Sequence, residues 1–438
     1  MKCIQCSTEN NLKDRTANQG RCKNCHHPFA FEPTAMKEVK ITDPFFVKAI
    51  TDLSANNTLF FTPKQFLYFL DKRSKRKAFS WLSAIFFYIF FSIWATLFFG
   101  GFLSMVIKNI AFPLVLGLVN LLCIYLLLRI SNSPKSSCQT RKSSATTLQI
   151  LGVVIFIVGV FFSISNKFQL GYVLVQIIGV LALVLGVIQK RRAANIFDSF
   201  LISATQMQDW LNTWARSNGS IAKLLPTPEA ALPATIDREI QNPDVTDYSF
   251  DRLVVCNSSE IAQILIANNF HFENNCAILS INGYPATVFD TVLQMLRRNP
   301  ELMVYAFHDA SPDGVRLLHQ LRTSPTWFPE SSVTIIDLGL LPRQVLANSD
   351  NLFIHRSTSS ATAASQLEPK IKQNLTEAEL AWLEAGNYVE LESFTPGRLI
   401  QILNRGIAGS RELDPSDGGG LIWMDNSGGG VYAIESFG

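Results

Sequence analysis

Four long stretches without a charged side chain constrain this chain more than any other feature: Ala78–Ile107, Ile110–Leu128, Leu148–Ile164 and Leu170–Ile188. A helix crossing the hydrocarbon core of a bilayer needs about 20 apolar residues, with a range of about 17–25. Each stretch meets that requirement, which predicts spans at about 80–103, 110–128, 148–165 and 170–188. Buried helices of a soluble core are the alternative; a cleaved signal peptide is excluded because the first stretch starts too deep in the chain. None of the four contains Asp, Glu, Lys, Arg or His. Ion pathways and proton relays are built on those groups, so the block reads as an anchor or assembly platform rather than a pump. Gly152, Gly159, Gly171, Gly179 and Gly186 are small enough to let its helices approach closely.

The flanks orient the spans. Lys72, Arg73, Lys75, Arg76 and Lys77 precede the first, and only Lys108 follows it. The next loop carries Arg129, Lys135, Arg141 and Lys142, the third only Lys167, and Lys190, Arg191 and Arg192 close the block. By the positive-inside rule this alternation places both termini in the cytoplasm of a multi-pass integral membrane protein. Membrane lipid is therefore its first partner. The 438 residues are 48% hydrophobic and 17% charged, which excludes a disordered chain or a charged coiled coil. A net charge of +3 supplies no general attraction to nucleic acid.

At the amino end, Cys3-x-x-Cys6 and Cys22-x-x-Cys25 stand fifteen residues apart. Each C-x-x-C brings two thiolates onto one tight turn, and two such turns complete a tetrahedral shell around Zn²⁺. A segment as short as 1–35 cannot bury enough apolar surface alone, so a structural zinc ribbon with ligands Cys3, Cys6, Cys22 and Cys25 is expected there. A redox pair is the alternative, and eight cysteines in all are too few for a secreted disulfide scaffold. His26 and His27 read as exposed loop residues. Lys13, Arg15, Arg21 and Lys23 read as a solvated face, with an acidic partner or nucleic acid as the other option. Cys123 and Cys138 have no ligand company in sequence.

Beyond the spans, residues 193–250 combine an amphipathic helix with a linker. Ile196, Phe197, Phe200, Leu201, Ala204, Met207, Leu211 and Trp214 recur at helical spacing, which predicts a helix on the membrane surface or packed on a soluble domain. Pro226, Pro228, Pro233 and Pro243 mark the linker. From 251 to 438 short apolar strands alternate with helices: strand 253–256, helix 259–268, strand 277–281, a helix opened by Pro285, strand 303–307, helix 312–321 and strand 333–337. That alternation predicts an α/β domain with a parallel sheet whose ligands sit at the carboxyl ends of the strands. The glycine runs 418–420 and 428–430 lack the G-K-[ST] of a phosphate loop, and no G-x-S-x-G is present.

Several blocks in this region, taken in order, resemble a family. Val254–Cys256, Asn275–Leu279 with Gly283-Tyr284-Pro285, Val304–Gly314, and Val333–Asp337 leading into Leu338–Pro342 are similar to the Toprim domain of topoisomerase VI A-subunits and meiotic-recombination nucleases. Leu375-Thr376-Glu377 and Val389-Glu390-Leu391-Glu392 resemble its closing segment. Upstream, Phe61–Tyr68 is similar to the winged-helix segment that carries the family's nucleophilic tyrosine, so 36–77 is expected to be a linker with a winged-helix remnant. The resemblance puts Tyr68 at the nucleophile position and Lys64 near a phosphate-contacting basic residue. It also implies a Mg²⁺ site formed by a Glu ending the first strand and an Asp-x-Asp after the third. Here Cys256 and Asn257 stand at the Glu position, Asp309 keeps the first Asp, and Ser311 replaces the second. Asp313 and Glu260 are nearby carboxylates, and His308 is a loop residue or a new ligand. One retained carboxylate makes a poor Mg²⁺ site.

The chain is thus expected to be multidomain: a zinc ribbon at 1–35, four transmembrane helices within 78–189, and a Toprim-like domain at 251–438 with a degenerate metal site. The leading expectation is a pseudoenzyme that binds or scaffolds a cytoplasmic protein partner. A phosphate-containing ligand at Asp309 and Asn282–Tyr284 would be a remnant of the lost site. The alternatives are a membrane-tethered, metal-dependent phosphodiesterase or nuclease using Asp309, Asp313, Glu260 and Tyr68, and a nucleic-acid tether that does not cleave.

Overall fold

The computed structural model describes residues 1–36, 39–75, 81–107, 110–133, 135–165, 170–194, 199–228, 250–299, 301–329, 331–347, 352–410, 421–424, 430–433 and 437. Of the residues singled out above, Arg76, Lys77, Ala78, Lys108, Lys167, Ile196, Phe197, Pro233, Pro243, the glycine run 418–420 and Gly428 and Gly429 lie outside the described residues. The chain forms two units: Lys72–Leu201, and a second that joins Met1–Asp71 to Ile202–Gly438.

The second unit begins with two cysteine turns of the same design. Cys3 N–H donates to the Thr8 carbonyl and Ser7 N–H to the Cys3 carbonyl, each at 3.0 Å. Nineteen residues on, Cys22 and His26 repeat the pattern at 2.9 and 3.0 Å. Between the turns lies α1 (Leu12–Ala17), closed by an Asn11/Asp14 capping box. Two further helices follow, α2 (Asp43–Leu53) and α3 (Pro63–Ser74). Asp43 is buried, and its carboxylate accepts the N–H groups of Ala30 and Phe31, both at 3.0 Å. That anchors the end of the ribbon to the first turn of α2.

The first unit contains α4 (Trp81–Ser104), α5 (Ala111–Ser131), α6 (Cys138–Ser165) and α7 (Leu170–Ala194). All four are long and apolar enough to cross a membrane. The α6 helix starts ten residues before the predicted span. Apolar sequence marks the thickness of the hydrocarbon core, whereas a helix continues while its backbone bonds are satisfied, so Cys138–Thr147 extends it by nearly three, mostly polar turns. Lipid tails provide no hydrophobic drive between helices, so close packing must hold them together. Gly152 and Gly179 supply it where α6 meets α7. A Cβ at Gly152 would lie 2.7 Å from the Leu183 nitrogen, and one at Gly179 2.7 Å from the Phe156 nitrogen. Gly159 and Gly186 face Gln176 and Gln149 in the same way, and Gly171 faces Pro113. Phe86, Phe87, Phe90 and Phe98 stay exposed on α4, as lipid-facing side chains do.

The chain re-enters the second unit through α8 (Ala204–Asn218). Its apolar face is not a membrane surface. Met207, Trp210, Leu211 and Trp214 are buried, with Trp214 stacked on Phe31 at 6.1 Å and tilted on Phe46 at 5.0 Å. Helical periodicity identifies an apolar face but not what covers it, and here the rings of Phe31 and Phe46 do.

The α/β region contains β1 (Arg252–Cys256), α9 (Ser259–Ala267), α10 (Phe270–Asn274), β2 (Cys276–Ser280), α11 (Phe289–Leu296), β3 (Met303–Phe307), α12 (Pro312–Thr323) and β4 (Thr334–Asp337). Next come α13 (Pro342–Ala347), β5 (His355–Arg356), α14 (Thr358–Ser365), α15 (Pro369–Gln373), α16 (Glu377–Glu384), β6 (Asn387–Tyr388), α17 (Pro396–Ser410), β7 (Leu421–Met424) and β8 (Gly430–Ala433). The six-stranded sheet runs β2-β1-β3-β4-β8-β7, parallel except where β7 joins β8. Val254, Cys256, Tyr305 and Phe307 face a core with α9 and α17; Leu253, Val255, Val304 and Ala306 face another with α11 and α12. Burial on both faces explains why these strands read as continuous apolar runs. Pro285 does not open a helix: α11 starts at Phe289, after a turn that returns the Tyr284 carbonyl to Ser280 N–H at 2.8 Å.

Candidate functional site

Two side-chain clusters in the second unit carry chemistry. In the ribbon, the sulfurs of Cys3, Cys6, Cys22 and Cys25 all lie within 4.8 Å of one another. Cys3 and Cys25 are 3.6 Å apart, and Cys6 and Cys22 are 3.5 Å apart. Sulfurs around a tetrahedral Zn²⁺ with bonds of about 2.3 Å sit about 3.8 Å apart, so the cluster fits a metal ion such as zinc. The supporting shell is also present. Cys22 accepts backbone N–H bonds from Cys25 and Asn24, and buried Asn10 reaches its sulfur at 3.5 Å. Asn10 also receives Lys23 N–H at 2.9 Å, which ties one cysteine turn to the other. Side-chain and backbone hydrogen bonds from Thr8 hold the Cys6 thiol down at about 5, favouring the thiolate that a metal requires.

Two expectations for the ribbon are corrected. Arg15 is not on a solvated face: it is buried, donates to Glu32 at 2.8 and 3.0 Å, and reaches the Asn10 carbonyl at 2.9 Å. Paired in this way, the Glu32 carboxyl falls to about 2. His27 is not an open loop residue either, since its Nε2 lies 2.8 Å from the Asn218 side chain on α8. His26 is exposed, and neither histidine belongs to the four-ligand group.

The second cluster lies at the carboxyl ends of β1 and β3. Cys256 is fully buried in the core, where burial pushes its thiol far above the ordinary range. Asn257 hydrogen-bonds Asp309, the residue two places past the end of β3. Ser311 donates to Asp309 at 2.5 Å and caps α12 by accepting Gly314 N–H at 3.0 Å. A Cβ on Gly314 would overlap the Asp309 oxygens, so glycine is required there. Burial raises the Asp309 carboxyl, although Ser311 opposes the shift. Asp313 points away, its side chain 78% exposed and paired with Arg316. His308 is fully buried beside Asp337 at 3.0 Å, leaving no room for a Cβ at Gly339. Burial works against the His308 charge, but Asp337 outweighs it and raises the imidazole. His308 is thus a locking residue next to the site.

The structure brings distant residues onto this end of the sheet. Ser258, which caps α9, sits 2.9 Å from Glu260 and 3.1 Å from Glu392. Lys64 Nζ on α3 lies 3.0 Å from Glu390 and 3.9 Å from Glu392. Tyr68, one turn along α3, donates to Glu390 at 2.5 Å and is also hydrogen-bonded to His355 Nε2. His355 is held by pairing with Tyr388 across β5 and β6 and by stacking on its ring at 5.1 Å. Glu392 is buried, which carries its carboxyl up to about 7 even though Lys64 pulls the other way. Burial and the Glu390 charge raise the Tyr68 phenol well beyond its usual range.

Residues 253–394 match the family model of the topoisomerase 6 A-subunit/Spo11 Toprim domain. This segment is a Toprim-like domain. No curated protein matches the chain. The match covers Asn257, Glu260, Asp309, Glu390 and Glu392, but the ribbon and α3 with Lys64 and Tyr68 lie outside it. Glu390, Glu392 and His355 are the functional candidates that sequence reasoning missed. The first two stand in the Val389–Glu392 block, where Glu390 leads into a 3₁₀ turn at Leu391–Ser393 that carries Glu392.

Mg²⁺ takes several waters and one or two carboxylates free to bind it. In the Toprim-like domain Asp309 is held by Ser311 and Asn257, while Lys64 pairs with Glu390 and Glu392. The side chains present do not fit such a site.

Proposed function

We propose that this is an integral membrane protein that presents a structural zinc ribbon and a non-cleaving Toprim-like domain to the cytoplasm as a binding or scaffolding unit. The carrying observation is Tyr68. Nucleophilic attack needs an exposed hydroxyl that can lose its proton. Tyr68 is 3% exposed, donates to Glu390 and contacts His355, and has a raised pKa. That is the environment of a packing and bridging residue. Placement on the cytoplasmic side is supported by the basic flanks. The segments that flank the four-helix block, Met1–Asp71 and Ile202–Gly438, belong to one folded unit, which agrees with an even number of crossings. Zinc as the ribbon metal rests on its all-thiol donor set, and a closed four-cysteine shell makes its role structural.

A nuclease reading keeps two points in its favour: Asp309 is retained, and Tyr68 does reach the Toprim-like domain. Nucleic-acid tethering is less well supported by the ribbon, because Arg15 and Lys23 are paired with Glu32 and Asp14. Supercoiled DNA incubated with the full chain in detergent and Mg²⁺ or Mn²⁺ decides between the first two. The expected result is intact DNA and no covalent protein–DNA adduct. Cleavage that disappears in both Tyr68→Phe and Asp309→Asn would replace the scaffold with the enzyme.

A further inference from the structure

We propose that the ammonium group of Lys64 is the resident cation of the Toprim-like carboxylate cluster, occupying the place of a divalent ion and keeping one out. This deepens the non-cleaving reading and rests on the same site. Four acidic side chains converge there from separate parts of the chain: Glu260 after β1, Asp309 after β3, and Glu390 and Glu392 after β6. So much negative charge at low exposure is unstable unless a cation sits among it. Lys64 Nζ is that cation, 3.0 Å from Glu390 and 3.9 Å from Glu392, with Glu260 adding to its field.

Its position is built rather than incidental. Helix α3 is fastened to the domain on several sides. Gln65 Nε2 donates to the Phe394 carbonyl at 3.0 Å, and Tyr68 bonds Glu390 and His355. At the approach to α3, Phe60 exchanges backbone hydrogen bonds with the Asn268 side chain at 2.8 and 3.0 Å. The Lys64 side chain is 43% exposed, but the helix that carries it is fixed at these points. The charge balance points the same way: the ammonium sits against two carboxylates, Glu390 and Glu392, whose charges it opposes directly.

The test uses the purified full chain with its ribbon metal in place, titrated with Mn²⁺ and followed by the loss of the free-ion electron paramagnetic resonance signal. Wild type and Lys64→Arg are expected to show no saturable uptake. Lys64→Met is expected to take up about one Mn²⁺ per chain, and Lys64→Met combined with Glu392→Gln to lose it again. Saturable uptake by wild type that Glu392→Gln abolishes overturns the proposal, and so does a Lys64→Met variant that gains none. If Lys64→Met is destabilised, its thermal midpoint is expected to rise with Mn²⁺ while wild type stays flat; the absence of that rescue counts equally against it. Neither readout depends on DNA cleavage, so a nuclease activity in wild type would sink the scaffold reading separately.

Discussion

The ribbon and the Toprim-like site both collect electron-rich side chains, but they differ in what answers the charge. In the ribbon four thiols face one another while the nearby cations are turned elsewhere, Arg15 to Glu32 and Lys23 to Asp14. At the carboxyl ends of β1 and β3 a cation does reach inward, and Lys64 pairs with Glu390 and Glu392. One cluster is therefore open to a metal ion and the other closed to it. Metal-site residues can persist in a fold only while something neutralises them, and that partner can be an ion or a side chain.

The largest effect that would break this contrast is at the ribbon. Cys22→Ser is expected to reduce metal content from about one zinc per chain to none, removing a contribution on the order of 10–16 kcal/mol to the fold of residues 1–35. Limited proteolysis should then cut within that segment, because Phe31 no longer packs under Trp214. A ribbon that stays protected without metal would end the comparison.

A smaller effect sharpens the other side. The Glu392 carboxyl is raised from 4.5 to about 7 by burial. A raised carboxyl binds its proton more tightly in the folded state, so its stabilisation is complete below about pH 4.5 and lost as pH rises through about 7. The loss amounts to roughly 3 kcal/mol, and Glu392→Gln is expected to flatten it. Denaturation midpoints of the two proteins across that window give the difference directly; parallel curves would remove Glu392 from the buried cluster. The smallest effect belongs to Asp313→Asn, expected to shift stability by less than about 0.5 kcal/mol, since its carboxylate is exposed beside Arg316. A larger drop in thermal midpoint would mean that Asp313 reaches the site after all.

Local signals were legible from the sequence where a short stretch contains the whole physical requirement. Apolar length marks a helix able to cross a membrane, C-x-x-C spacing gathers thiols, and the strand Met303–Phe307 appears at its predicted bounds because both its faces are buried. The substitution of Ser311 for an expected carboxylate was equally visible, and it already argued against Mg²⁺. Arg15 was misjudged, and the covering of α8 stayed open between membrane and soluble domain, for one reason: a residue type or periodicity records a side chain's character but not its neighbour. Glu392 could not be recognised because its pKa depends on burial, which composition does not state.

By itself the sequence determined four helices long and apolar enough to cross a membrane, a four-thiol ribbon and a parallel α/β domain resembling Toprim, since each follows from spacing along a single run of chain. Only the tertiary structure decided that Lys64 and Tyr68, on one side of the membrane block, meet Glu390 and Glu392 on the other. Electrostatic pairing depends on distance in space, and the four helices between those residues erase any trace of it from distance along the chain.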